Sequence, residues 1–280
     1  MKLATLRRDQ DTVAAVVHPD GSLTPLEGFA DVGAWLAAPA HLRDQAVEAA
    51  SGSAALPAPR PGQLAQPVLK PAKVLCIGLN YTKHIAETGS QTPQFPTVFT
   101  KFALTLCGPE DPLEIPAEDH RVDWEGELCI IIGSGGRRLS PEQAQDAIAG
   151  YAVANDVSMR GWQGRTSEWT QGKIWEASTP VGPWMVTPDE FDPAARIETR
   201  VNGATVQLDS VGEQVRAPAD LVAYLSTMIT LEPGDHILTG TPAGVALGRR
   251  NEAGRHPWLV AGDVMETSID GLGTQRNVFS

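Results

Sequence analysis

Asp123-Trp124-Glu125-Gly126-Glu127-Leu128-Cys129-Ile130-Ile131-Ile132 is the stretch on which the fold class turns. Its apolar half, Leu128 to Ile132, is the longest strongly apolar run in the chain, strand-sized and far short of the roughly 20 apolar residues that a membrane-spanning helix needs. Read as a strand, the segment projects residues two apart on the same side, so Glu125 and Glu127 point one way, about 7 Å apart along the chain. Two carboxylates on one side repel each other unless positive charge lies between them. A hard cation such as Mg2+, Mn2+ or Ca2+ suits oxygen ligands. The same alternation also suits a solvated strand edge with both acids in water.

On either side of this stretch the chain reads as runs of short strands with few helices. Val74 to Ile77, Val98 to Lys101, Gly126 to Ile132, Ala152 to Asn155, Ile197 to Val201, His236 to Thr239 and Val264 to Ile269 carry the β pattern, punctuated by 22 prolines. Ser140-Pro141-Glu142-Gln143 is a capping-box signature with proline in the first helical position, and its helix is expected to stop at Gly150. A second helix follows Pro218, where Leu221, Val222, Leu225, Met228 and Ile229 recur at helical spacing. Residues 1 to about 70 mix a short strand (Thr12 to His18) with short helices (Val32 to Ala38 and Leu42 to Ala50), and end in a connector carrying Pro57, Pro59, Pro61, Pro67 and Pro71. The expectation is an α+β, mostly β fold, with a small N-terminal domain over residues 1–70 and a larger domain over 71–280.

Asp156, at the end of the Ala152–Asn155 strand and ahead of Ser158 and Arg160, offers a third carboxylate that could complete a set of oxygen ligands, or simply cap a turn. His84 and Glu87 follow a strand and a turn glycine; three apart on a helical turn they sit side by side, as a general base with its orienting carboxylate or as a surface ion pair. Lys173 after Gly172 could be a site lysine or a solvated one. Thr239-Gly240-Thr241-Pro242-Ala243-Gly244 lets backbone amides approach an anion, but lacks the lysine and spacing of a nucleotide-binding phosphate loop.

Composition sets outer limits. A net charge of −12 disfavours nucleic acid, and no Lys/Arg-rich block offsets it. Cys76, Cys107 and Cys129 form an odd set without CxxC pairing, which argues against a disulfide framework or structural zinc and fits buried apolar roles in a reducing cytoplasm. Arg7, Arg8, Asp9 and Asp11 interrupt the start of the chain before a signal-peptide core could form.

Taken in order, Ile77-Gly78-Leu79-Asn80-Tyr81 through Glu87, Phe99-Thr100-Lys101, Gly108-Pro109, Asp123 to Gly133, Gly150-Tyr151 through Gln163, Gly172-Lys173 through Trp184, and Leu231 through Val245 resemble the fumarylacetoacetate hydrolase family over about residues 70–280. The resemblance implies a rolled mixed β-sheet in the catalytic domain, a homodimer, and Mg2+ or Mn2+ on Glu125, Glu127 and Asp156, with Ca2+ as a further candidate. It implies a water-orienting pair in His84 and Glu87, a catalytic Lys173 near the metal, and substrate contacts from Lys101, Arg160, Gln163 and Thr241. The expected substrate is a small 2-oxo or diketo acid, as in aromatic catabolism. The expected reaction is hydrolysis of a C–C bond in an acylpyruvate-like β-diketo acid, with a metal-stabilised enolate as leaving group. Decarboxylation or keto–enol isomerisation of a 2-oxo or hydroxymuconate-type acid on the same site is the alternative. Three positions depart from the family pattern: Phe102 where proline is frequent, and Gly161 and Glu176 where aspartate is common.

Overall fold

The computed structural model describes residues 1–280. The chain is mostly β. Its main sheet runs in the order Leu23–Pro25, Thr12–Val17, Lys2–Arg7, Thr179–Val186, Ile148–Asn155, Gly126–Ile132, His236–Leu238, Val74–Gly78, Thr97–Lys101, with two short strands off this path. The sheet is mixed: His236–Leu238 pairs parallel with Val74–Gly78, whereas most neighbours are antiparallel. A second, four-stranded antiparallel sheet runs Ala204–Ser210, Arg196–Val201, Val264–Ile269, Gly273–Val278.

Gly126–Ile132 lies at the centre of the main sheet and is buried along its whole length. Leu128, Ile130 and Ile132 face a core shared with Ile197 and Ile269 of the second sheet and with Leu221, Val222 and Leu225 of the Pro218–Met228 helix. Cys129 and Ile131, on the other side, pack with Cys76, Ala154 and Leu238. Burial on both faces is why the strand reads as an unbroken apolar run instead of an alternating one. It also means that Glu127, on the Cys129 side, is almost wholly withdrawn from bulk solvent. All three cysteines are buried and free.

The N-terminal 70 residues have an apolar cluster of their own, including Leu6, Val13, Val17 and Leu23. Even so, Lys2–Arg7 hydrogen-bonds to Thr179–Val186, and Leu3, Leu26 and Trp35 share a core with Val74 and Met185. The main sheet therefore runs across the boundary expected near residue 70. The capping box at Ser140 is present, with both reciprocal hydrogen bonds. Its helix is shorter than expected, Pro141–Ala147, because Ile148 already pairs with Ile132 as a strand. Gly150 is not a helix stop: a Cβ there would come 2.4 Å from the Val186 carbonyl oxygen, so the glycine permits close strand approach. No helix is long and apolar enough to cross a membrane.

His236 carries a testable consequence of this packing. The ring is fully buried, Nδ1 bonds to the Gly234 carbonyl at 2.9 Å, and Nε2 has no partner. Burial disfavours the imidazolium and lowers the pKa to about 4. The unfolded chain therefore takes up a proton between pH 6.5 and 4 that the folded chain refuses, so stability is full above about pH 6.5 and falls as pH drops through that window. About 2 kcal/mol should be lost by pH 5 from this group. Denaturant unfolding at pH 7 and pH 5 should show a smaller difference in His236→Gln than in the wild type; an unchanged difference would assign the acid sensitivity elsewhere.

Candidate metal centre

Three carboxylates separated in sequence converge. Glu125, Glu127 and Asp156 are all buried, and each places one oxygen within 4.8 Å of the others. Glu127 arrives on the central strand. Glu125 precedes that strand, and its backbone N–H donates to Asn155 Oδ1 at 2.9 Å while Asn155 Nδ2 donates to Thr267. The Asp156 N–H donates to the Glu125 carbonyl at 2.8 Å, which locks the end of the neighbouring strand to the same spot. Gly126 between the two glutamates has no room for a side chain: a Cβ would come 2.4 Å from Thr199 Oγ1. Gln207 spans the turn, accepting from the Gly126 N–H and donating to Thr241 Oγ1, and that hydroxyl donates to the Gly126 carbonyl.

The cluster is a balance of charges in a dry interior. Lys173 Nζ stands between Glu125 Oε2 at 2.6 Å and Asp156 Oδ2 at 2.8 Å. Lys101 Nζ donates to Asp156 Oδ1 at 2.6 Å. Arg160 Nε donates to Asp123 Oδ2 at 2.7 Å, and its Nη2 lies 2.7 Å from Glu125 Oε1 but off the direction of a hydrogen bond. Asp123 also accepts the amides of Ala246 and Leu247. Burial alone would raise the Glu125 pKa, but Lys173 and Arg160 outweigh it and hold the carboxyl down to about 2. Lys173 is likewise held in its charged form, because Asp156 and Glu125 outweigh the burial that opposes it.

Glu127 is the exception. Its one hydrogen bond comes from the Gly240 amide at 2.7 Å, and burial together with the charges of Asp156 and Glu125 pushes its pKa well above the usual carboxylate range. Asp123, Glu125, Glu127 and Asp156 are four carboxylates facing three cations, Lys101, Lys173 and Arg160, so one negative charge is left over. An all-oxygen donor set with an uncompensated anion fits a hard divalent cation.

The carboxylates open into a cavity of about 380 Å³. Glu125 and Glu127 line it with His84, Arg160, Gln163, Lys173 and Thr241. His84 Nδ1 is 3.1 Å from Glu87 Oε2, and the Glu87 carboxylate accepts the Gly244 amide at 3.0 Å. A Cβ on Gly248 would come 2.2 Å from the Glu87 carboxyl carbon, so a larger residue there would displace that carboxylate from its present place. The apolar wall is Ile77, Leu79, Phe99, Trp169 and Leu247. Trp169 meets Phe99 edge-on at 5.8 Å and occupies the space a Cβ on Gly78 would need.

The expected site residues thus come together, with corrections of role. Lys101 is not among the residues lining the cavity: fully buried, it donates to Asp156 Oδ1 and braces that carboxylate. Asp156 also lies behind the lining, held by both lysines. Arg160 Nη1 donates to Gln163 Oε1 at 2.8 Å, so these two cavity residues orient each other. Asp123, Asn155 and Gln207 were not expected in this machinery. Asp123 sits in the diagnostic acidic motif, whereas Asn155 and Gln207 carry no pattern that marks them. Gly161 has a structural reason: the Asp119 carboxylate, which caps the Arg121 and Trp162 amides, lies 2.6 Å from where its Cβ would be. Phe102 and Glu176 are exposed, and nothing in the structure explains their departure from the family pattern.

Comparison with known proteins places the chain as a whole. The family model described as fumarylacetoacetate (FAA) hydrolase C-terminal matches residues 73–280. The mitochondrial oxaloacetate tautomerase fahd2 of Xenopus laevis is 42% identical over 218 residues, covering 76% of this chain and 67% of that protein. Among solved structures, a fumarylacetoacetate hydrolase from psychrophilic Exiguobacterium antarcticum superposes with a TM-score of 0.86 at 32% identity, covering 100% of this chain and 99% of that one. A maleylpyruvate hydrolase from Sphingobium sp. SYK-6, solved with manganese(II) and pyruvate, gives a TM-score of 0.80 at 29% identity, covering 100% and 98%. With the family model matching residues 73–280, about three quarters of its length, the chain belongs to the fumarylacetoacetate hydrolase family.

Proposed function

We propose that this chain is a divalent-metal-dependent hydrolase that cleaves a C–C bond in an acylpyruvate-like β-diketo acid. The observation that carries the reading is that the His84–Glu87 pair lines the same cavity as Glu125 and Glu127. Glu125, Glu127 and Asp156 would hold Mg2+ or Mn2+, a Lewis acid toward the oxygens of a 2-oxo acid.

The chain's own groups divide the remaining work. Glu87, anchored by the Gly244 amide, accepts from His84 Nδ1–H and leaves Nε2 as the basic nitrogen. Nε2 takes a proton from water as its oxygen bonds to the distal carbonyl carbon. The C–C bond then breaks, the electron pair leaves with the pyruvate half, and the imidazolium returns the proton to that carbon. Two of the three N–H bonds of Lys173 go to Glu125 and Asp156, which leaves the third for a substrate oxygen. Arg160, which lines the same cavity, adds fixed positive charge beside Glu125. Trp169, Phe99 and Leu247 keep bulk water away and so strengthen these interactions.

A second reading is keto–enol isomerisation or decarboxylation of a 2-oxo acid, which the similarity to the Xenopus oxaloacetate tautomerase favours. It uses His84 for proton transfer but requires no attack by water. Product analysis separates the two: hydrolysis yields pyruvate and a carboxylic acid from an acylpyruvate, whereas enol consumption with oxaloacetate and no pyruvate from the acylpyruvate favours the second.

The metal set is tested without turnover. At a hundredfold excess over Kd, Mn2+ should stabilise the wild type by about 2.7 kcal/mol, raising Tm by roughly 5–10 °C. Glu127→Gln should melt higher than the wild type when metal-free, because a repelled buried charge is gone, and should lose most of the Mn2+ increment. An undiminished Mn2+ shift would remove Glu127 from the ligand set. His84→Ala should keep that increment while kcat falls roughly 10²–10⁴-fold. Turnover equal to the wild type would reduce the pair to a structural contact.

A further inference from the structure

Next to the catalytic cavity lies a second, more open bowl of about 820 Å³ that shares Arg160 and Leu247 with it. Its lining includes His120, Arg121, Arg160, Arg250, Arg255 and His256, and no acidic residue. On a chain with a net charge of −12 this is a local inversion of sign.

The bowl is built, not merely decorated. The turn that carries two of the arginines closes by an Asn251 N–H to Arg255 carbonyl bond at 2.8 Å, and Asn251 Oδ1 accepts the amides of Ala253 and Arg255. Arg250 and Arg255 are thereby held at the stem of one tight turn. His256 stacks on Trp258 with ring centres 4.7 Å apart, and its Nδ1–H donates to the Ala246 carbonyl, leaving Nε2 free. The guanidinium groups of Arg121, Arg250 and Arg255 have neither a hydrogen bond nor an ion pair within the chain. Arg160, nine-tenths buried, adds positive charge at the bowl's edge while its guanidinium is engaged by Asp123, Glu125 and Gln163, so the free donors are the other arginines.

We propose that this bowl is an anion-binding site, distinct from the metal centre, that takes a carboxylate or phosphate-like group of a small multivalent anion. Planar guanidinium forks pair with such oxygens in bidentate fashion. Two sources share this chemistry: the far end of a substrate whose 2-oxo acid end occupies the neighbouring cavity, and a separate inorganic or organic anion.

The test uses sulfate as probe on metal-free protein and reads binding by calorimetry and by thermal shift, so it does not depend on the proposed reaction. The comparison is wild type against Arg250→Ser/Arg255→Ser, whose side chains are exposed and whose unchanged circular dichroism and sulfate-free Tm would confirm an intact fold. Sulfate should bind the wild type roughly tenfold more tightly than the variant, as expected for the loss of charge-assisted hydrogen bonds. Equal affinities, or no measurable binding to the wild type, would overturn the proposal. Repeating the titration with 2-oxoglutarate and with pyruvate identifies the source. Displacement of sulfate by the dicarboxylate but not by pyruvate assigns the bowl to the far end of a substrate. Binding undisturbed by either assigns it to an independent anion.

Discussion

Lys173 between Glu125 and Asp156 is the contact on which the rest of the site depends. A carboxylate moved into a protein interior loses several kcal/mol of hydration unless charge and hydrogen bonds replace it. Four are buried here in one neighbourhood, and three cations are buried with them. The fold supplies the compensation from distant segments: Lys101 from the strand at the far edge of the sheet, Arg160 from a one-turn helix, and Lys173 from the end of a short 3-10 turn. What remains uncompensated is concentrated on Glu127, which the charge of Lys173 and one backbone amide only partly offset. The site is therefore organised around a defined deficit of positive charge, placed at the floor of a cavity with the His84–Glu87 pair at its wall.

Much of this was legible in the sequence because it rests on local rules. The Gly126–Ile132 strand and the Ser140 capping box were readable from periodicity and spacing, and Asp156 from its place at a strand end. The two acids of the Asp-Trp-Glu-Gly-Glu motif do share a neighbourhood, although the regular strand begins only after Glu125. What periodicity does not encode is which buried polar groups meet across the fold. Asn155 and Gln207 look like ordinary strand residues until their amides are seen holding Glu125 and Gly126. Lys101 was placed at the substrate by resemblance, and only the packing shows it turned toward the back of Asp156. The basic bowl was invisible for the same reason: its arginines come from residues 121, 160, 250 and 255, and no window of the sequence is rich in positive charge.

Gly161 shows how a small residue can be fixed by its surroundings. The carboxylate of Asp119 occupies the place a side chain at Gly161 would need, while it caps the amides of Arg121 and Trp162. The turn where Arg160 begins its short helix is thus steadied by an acid from a different loop.

Gly248 has a wider implication. Its bareness is a matter of volume and not of backbone angle, because the Glu87 carboxyl group fills the place of any larger residue. The identity of a single loop residue, more than 150 positions away in the chain, thus reports on whether the histidine's partner can be seated. A side chain at this position would have to share its volume with the Glu87 carboxylate, so the loop's smallest residue sets where that carboxylate rests.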